Sequence, residues 1–165
     1  QTKRVITMIH LSPRLQSINP VLGFMLCLLA AVAGRASAGD VDALYQAAGD
    51  GDASLVSRLL DSGIDVNART SNSSYALNNA AVENHVEVVR LLLARGADPN
   101  VQNGQGDTPL ICATKYAGGH AATVKVLVEA GTDLAITDGK GNTALDYAKA
   151  KEQQAAIALL ESPPN

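Results

Sequence analysis

His85, His120 and Cys112 carry the side chains in the body of this chain that most often serve metal sites and catalysis. Imidazole and thiolate groups ligate zinc, and either can act as a base or a nucleophile when its pKa suits the reaction. A zinc site needs three or four such ligands, and the sequence has no His and Cys cluster at ligand spacing. No His or basic residue adjoins Cys112 to lower its pKa, so we expect a small buried hydrophobic residue there.

Acidic residues near the start of this region suggest a calcium site, which their spacing does not support. Asp40 and Asp42 precede Asp50 and Asp52, but a third aligned ligand and a closing Glu are missing from the twelve-residue loop pattern. We expect Asp50 and Asp52 in a solvated turn before a helix, where the dipole favours acids. Without a Ser-His-Asp order or a phosphate-binding glycine loop, the sequence predicts no catalytic residue, no metal and no cofactor.

A glycine-aspartate segment recurs along the chain. It runs from Gly63 to Asn67, from Gly96 to Asn100 and from Gly131 to Ala135, with the glycines 33 and then 35 residues apart. Such a period indicates a solenoid, in which each unit buries its apolar face against its neighbours. His85 and His120 take matching positions in two units, so we expect them to hydrogen-bond between neighbouring turns.

Each unit is predicted to hold two short helices. In the second unit they cover residues 77–82 and 86–93, and in the fourth 145–150 and 153–160. In the third unit Thr108 is placed as the N-cap and Pro109 as the first helical residue. The glycines at 63, 96 and 131 suit left-handed C-caps, and the dipeptides at 103–104 and 138–139 suit hairpin tips that tolerate positive φ.

With these motifs the chain resembles the ankyrin-repeat family over about residues 39–160. The resemblance implies an all-α repeat solenoid of antiparallel helix pairs with β-hairpin loops. It implies four repeats, at 40–68, 69–101, 102–135 and 136–162, in a domain of residues 39–162 with a tail at 163–165. The motifs that carry it are Gly106-Asp107-Thr108-Pro109-Leu110, Gly141-Asn142-Thr143-Ala144-Leu145-Asp146-Tyr147-Ala148, Asn84-His85, Gly119-His120 and the three glycine-aspartate segments.

Several positions depart from the family pattern. The second unit has residues 73–76 (SSYA) in place of Gly-x-Thr-Pro, and Asn78-Asn79 in place of His and an apolar residue, so we expect it to be the least stable. The third unit has two extra residues near 117–119, which predicts a longer, protruding turn. The first and fourth units have the features of the terminal caps that a solenoid needs.

Residues 1–38 have the order of a secretory signal peptide. Lys3, Arg4 and Arg14 precede an apolar run over 21–32, and Ala36-Ser37-Ala38 follows, which predicts cleavage after Ala38. The apolar run is shorter than the roughly 20 residues that span a bilayer. An uncleaved anchor is the alternative, and Met8 is an alternative start.

Removal of the leader makes the chain strongly acidic. All 16 acidic residues lie beyond Ala38, but four of the 13 basic residues lie before it, so the mature chain carries a net charge of −7. Phosphate backbones and anionic membrane surfaces repel such a protein. We therefore expect neither nucleic acid nor membrane as a partner after cleavage.

The predicted function is that of an exported, monomeric, non-enzymatic protein, periplasmic or secreted, that binds a protein partner. In the family, partners contact the hairpin tips and the inner helices. The matching positions here are Ser71, Asn72, Ser74, Val82, Glu83, Gln105, Asp107, Lys115, Tyr116, Lys140 and Asn142. Tyr116 is either an exposed anchor or a ring packed under residues 117–118.

Asn72-Ser73-Ser74 also matches a glycosylation sequon, which matters only in a eukaryotic host. The alternative function is an accessory factor for an exported enzyme in oxidative-stress defence, related to peroxidase or catalase.

Overall fold

The computed structural model describes residues 37–116 and 120–163, which form four helix–turn–helix pairs and no strand. The all-α repeat solenoid is thereby confirmed. The signal-peptide prediction falls almost entirely on residues 1–36, and the two-residue insertion on 117–119, so both lie outside the described residues. The helices are α1 Ala38–Asp50, α2 Ala53–Asp61, α3 Ala76–Val82, α4 Val86–Ala94, α5 Pro109–Lys115, α6 Ala121–Glu129, α7 Ala144–Ala150 and α8 Gln154–Glu161.

The helices pack in two layers. The first helices of the units, α1, α3, α5 and α7, each contact the next, and the second helices, α2, α4, α6 and α8, do the same. The repeat period puts apolar residues at matching places, so that Leu44, Leu77 and Leu110 are buried in the first layer. Burying a leucine side chain stabilises a fold by about 1.5–3 kcal/mol. Successive units therefore share one core.

Side-chain caps mark the starts of some of the helices. Thr108 accepts a hydrogen bond at Oγ1 from the Ile111 N–H at 3.2 Å, with Pro109 as the first residue of α5. The carboxylate of Asp52 accepts from the Leu55 N–H at 2.9 Å, which confirms its predicted place before α2. The N-cap of α3 is Tyr75, whose side chain makes no capping bond.

The glycine-aspartate segments tie the first three units together. Asp98 accepts a hydrogen bond from the Asn100 N–H at 2.8 Å, which closes a turn inside the segment. The Asp98 N–H donates to Asn67 Oδ1, and the Asp133 N–H donates to Asn100 Oδ1, both at 2.8 Å. Ala135 takes the asparagine's place in the third segment. The asparagine of each of the first two segments therefore bonds to the backbone of the next.

The hairpin loops have positive φ at the first residue of the Gly-x-Thr-Pro motif and at its counterpart in the second unit. Gly106 and Gly141 have φ of 80° and 81°, and Ser73 takes the matching position in the second unit with φ of 60°. Gly104 and Gly139, which suit hairpin tips that tolerate positive φ, do not have positive φ here. A Cβ on Gly139 would lie 3.0 Å from the carbonyl oxygen of Gln105, so this glycine permits close approach of two loops.

Candidate functional site

A cleft of about 380 Å³ lies between the first-layer helices and two hairpin loops. Its volume falls in the lower part of the range for ligand pockets, roughly 300–1,000 Å³. Helices α1, α3 and α5 and the loops around residues 72–74 and 103–105 supply its walls. The lining residues are Tyr45, Asn72, Ser74, Asn78, Asn79, Val82, Asn103, Gly104, Gln105, Cys112 and Tyr116.

The structure brings five of the predicted contact residues together in this cleft, namely Asn72, Ser74, Val82, Gln105 and Tyr116. The other six lie outside its lining. Ser71, Glu83 and Lys140 are exposed, Asn142 and Lys115 are half-buried, and Asp107 is buried.

Asp107 lies beneath the loop surface, where a partner does not reach it. Its side chain is fully buried, and its carboxylate oxygens lie 2.8 and 3.0 Å from Lys115 Nζ. The placement of Asp107 among exposed tip residues is therefore corrected. Its carboxylate instead holds two neighbouring side chains in place.

Lys115 is the second predicted contact residue that the fold uses internally. Its ammonium group also lies 3.3 Å from Asp138 Oδ2 and 5.2 and 5.3 Å from the ring centroids of Tyr116 and Tyr147. Burial disfavours the charge, but the hydrogen bonds to Asp107 and Asp138 outweigh it, so the pKa of Lys115 is raised. The ion pairs of Lys115 therefore join the hairpin loop of the third unit to the hairpin loop of the fourth.

Tyr116 is exposed and nevertheless held in one position. Its side chain is the one large hydrophobic group that is exposed among the described residues, at 49%. Its hydroxyl donates to Gln105 Oε1 at 2.5 Å and lies 3.1 Å from Asp107 Oδ2. Burial of the hydroxyl, together with its bond to the Asp107 carboxylate, raises the pKa of Tyr116. The ring is thus available for contact, and residues 117–118, under which the alternative interpretation places it, lie outside the described residues.

Asn78 forms part of the cleft at a position where the next unit has the apolar Ile111. Its Nδ2 donates to the Asp107 carbonyl at 3.0 Å and contacts Cys112 Sγ at 3.6 Å. Its Oδ1 is buried and has no donor among the described residues. Unsatisfied buried polar atoms are uncommon in native folds, and they often mark functional sites.

Cys112 is buried as expected, and only 1% of its surface is exposed. Burial raises the pKa of the Cys112 thiol to about 12, despite the hydrogen bond from Asn78. The thiol is therefore neutral at physiological pH and contributes no nucleophile to the cleft.

The two histidines sit in the inter-helix turns. A Cβ on Gly51 would lie 2.5 Å from the His85 ring, so His85 packs directly against the preceding turn. His120 hydrogen-bonds the backbone of Val82, and burial lowers its pKa although Glu83 opposes the change. The bond from His120 agrees with the predicted hydrogen bonding between neighbouring turns, whereas the described contact of His85 is packing.

Sequence reasoning did not predict the other six lining residues of the cleft, which are Tyr45, Asn78, Asn79, Asn103, Gly104 and Cys112. The signal was present at Asn78 and Asn79, whose departure from the repeat we interpreted only as lost stability. Across residues 37–116 and 120–163, no three His, Cys, Asp or Glu side chains are grouped as metal ligands would be. Within the same ranges, no helix has the length and apolar character needed to cross a membrane.

A family model described as ankyrin repeats in three copies matches the chain in three overlapping segments. The matched residues are 24–103, 44–138 and 95–165. Together they extend over most of the chain and include every helix of the described structure.

Several curated proteins are similar to part of the chain. An ankyrin repeat-containing protein of Schizosaccharomyces pombe is 35% identical over 72 residues, which is 44% of this chain and 35% of that protein. The 2-5A-dependent ribonuclease of Mus musculus is 39% identical over 75 residues, 45% of this chain and 10% of the relative. The mitochondrial disaggregase of Bos taurus is 49% identical over 59 residues, 36% of this chain and 9% of the relative. The chain thus spans 35% or less of these three relatives, and the similarity concerns the repeats.

Proposed function

Because this chain belongs to the ankyrin-repeat family, whose repeats generally act as protein-interaction modules, we propose that it is a non-enzymatic protein that binds a protein partner. The partner lies against the hairpin loops and the first-layer helices. The observation that carries this proposal is the cleft, with the exposed and firmly held Tyr116 among its lining residues.

Tyr116 has the properties of an interface anchor. Aromatic side chains supply a large contact area and lose little conformational entropy on binding, more so when they are already fixed. The bonds from its hydroxyl to Gln105 and Asp107 fix the ring before a partner arrives. The exposed residues Ser71, Glu83 and Lys140, with Asn142, form the outer part of the contact surface.

We also propose that the protein is exported to the periplasm or secreted, and that it acts there as a monomer. The support is the sequence of residues 1–38, in which basic residues precede an apolar run and small residues. The acidic character of residues 39–165 agrees with a protein partner and disfavours nucleic acid.

A pull-down with the purified chain tests the proposal. We expect Tyr116→Ala and Lys140→Glu to reduce recovery of the partner at least severalfold, because both side chains belong to the contact surface. Arg90→Ala, on the exposed side of α4, is the control and should recover the partner normally. Unchanged recovery of every captured protein by both surface variants would remove the proposed face.

A further inference from the structure

The cleft is lined by amides and hydroxyls and by no charged group. Six of its polar residues are Asn72, Ser74, Asn78, Asn79, Asn103 and Gln105, and Tyr45 and Tyr116 add aromatic surface. The ammonium group of Lys115 is neutralised by Asp107 and Asp138 and does not line the cleft. The Cys112 thiol is also neutral. A ligand in this cleft therefore meets a neutral polar surface.

Much of the hydrogen-bonding capacity of these amides is unused within the described residues. Asn79 donates through Nδ2 to the Tyr45 carbonyl at 2.9 Å, which leaves its Oδ1 as an acceptor. Gln105 accepts from Tyr116 at Oε1, which leaves its Nε2 as a donor. The side chain of Asn72 bonds to no other described residue, and Asn78 Oδ1 lacks a donor.

We propose that this cleft binds the main chain of an extended, uncharged segment of the partner protein; this rests on the proposed function and adds the chemistry of the contact. A peptide unit presents one N–H donor and one C=O acceptor, and side-chain amides present the same pair. A helix has already used its main-chain groups internally, whereas an extended segment offers them to a partner.

The neutral lining also favours a segment without charged side chains. A charged side chain that enters the cleft loses its hydration and finds no counter-ion there, at a cost of several kcal/mol. The tyrosines accept apolar side chains or small polar ones. One face of the Tyr116 ring lies near the Lys115 ammonium at 5.2 Å, which disfavours stacking of a sugar ring on that face.

The test uses the full chain and a displayed library of random dodecapeptides. We expect the captured peptides to carry no net charge. We expect Asn72→Ala with Gln105→Ala to weaken their binding at least tenfold. Tyr116 keeps its bond to Asp107 in this double variant, and both altered side chains are exposed, so the fold is preserved. Gln154→Ala, which removes an exposed amide on α8, is the matched control and should bind as the unaltered chain does.

Backbone N-methylation of a captured peptide separates main-chain from side-chain recognition. We expect methylation at two or more positions to reduce affinity at least tenfold, because each methyl group removes an N–H and leaves the side chain unchanged. Asn78→Ile should also lose binding and remain folded, since Ile111 occupies the matching position.

Several results would overturn the inference: capture of charged peptides, capture of none, full tolerance of N-methylation, or capture of neutral oligosaccharides in place of peptides. A partner whose recovery depends on Tyr116 but not on Asn72 and Gln105 would also overturn it. That last result would leave the proposed function standing.

Discussion

Asp107 connects the fold to the proposed contact surface at the scale of single residues. Its carboxylate binds Lys115 at 2.8 Å and Tyr116 at 3.1 Å while fully buried. We expect Asp107→Ala to lower the free energy of unfolding by about 3 kcal/mol, because Lys115 loses its nearest counter-ion in a buried setting. Urea denaturation measures this.

The matched control is Asp61→Ala, which breaks the exposed pair with Arg95, whose atoms lie 2.9 Å apart. Exposed pairs contribute about 0–1 kcal/mol, so this variant should be close to the unaltered protein. Equal destabilisation by the two variants would contradict the central role given to Asp107.

Ser73 has a backbone conformation that suits glycine. Its φ of 60° lies in the left-handed region, and Gly106 and Gly141 occupy the same position in the later units. We expect Ser73→Gly to stabilise the protein by about 0.5–1 kcal/mol, since the relief of strain exceeds the added entropy of the unfolded chain. Thermal unfolding would show a higher midpoint. Ser71→Gly changes a residue of the same loop that lacks positive φ, so it should not raise the midpoint. A higher midpoint in both variants would contradict the assignment of strain to Ser73.

The bond from Tyr147 to Asp138 predicts a pH dependence of stability. The Tyr147 hydroxyl donates to the Asp138 carboxylate at 2.6 Å and lowers the pKa of Asp138, with the Asn142 and Lys140 N–H groups adding to the effect and burial opposing it. Because the folded pKa is depressed, the contribution to stability is complete above the unfolded value of about 3.9 and is lost as the pH falls towards the folded pKa.

Tyr147→Phe should therefore lower the free energy of unfolding by a constant amount between pH 7 and pH 5. The difference from the unaltered protein should narrow progressively below about pH 4, as the pH falls towards the depressed folded pKa of Asp138. Urea titrations at these pH values measure it, with Tyr45→Phe as a control whose effect does not vary with pH. A difference for Tyr147→Phe that does not narrow down to the lowest pH at which both proteins remain folded would contradict the assignment.

At the scale of elements, the starts of α2, α5 and α7 carry side-chain caps. Thr108 begins α5 with a side-chain bond to the Ile111 N–H. We expect Thr108→Ala to cost about 1 kcal/mol of stability, as losses of N-caps usually do. Thr108→Ser keeps the hydroxyl and should recover most of that cost in chemical denaturation. If the two variants are equally destabilised, the lost methyl group and not the cap is responsible.

The helix positions could be predicted because their signals are local. Predicted and observed bounds of α4 and α8 agree to within one residue, since inter-helix turns and leucine pairs fix them within a few positions. The remaining lining of the cleft could not be predicted this way. The bond from Asn78 to the Asp107 carbonyl joins residues 29 positions apart, and Lys115 meets Asp138 across 23 positions. Such contacts depend on how neighbouring units pack.

At the scale of the whole molecule, each unit relies on the next for part of its bonding. The Lys151 ammonium donates to the Lys115 carbonyl, and Gln153 Nε2 donates to the Thr114 carbonyl at 3.0 Å. The fourth unit therefore caps the end of α5, whose last residues hold Tyr116 beside the cleft. The contact surface thus depends on a unit that does not line the cleft.

The proposed leader also affects the folded part. The Ser37 N–H donates to the Asp40 carboxylate at 2.7 Å at the start of α1. Cleavage after Ala38 would remove Ser37 and this bond. Mass spectrometry of the exported protein should find a chain that begins at Gly39. A chain that retains residues 1–38 would favour the anchor alternative.

Site-specific photo-crosslinking in the producing cell tests the central claim most directly. A photoreactive residue at position 72 or 116 lies in the cleft, and one at position 90 lies on the exposed side of α4. We expect positions 72 and 116 to give the same crosslinked protein, and position 90 to give none. A protein captured only from position 90, or equally from all three positions, would contradict the proposal that the cleft and its loops bind the partner.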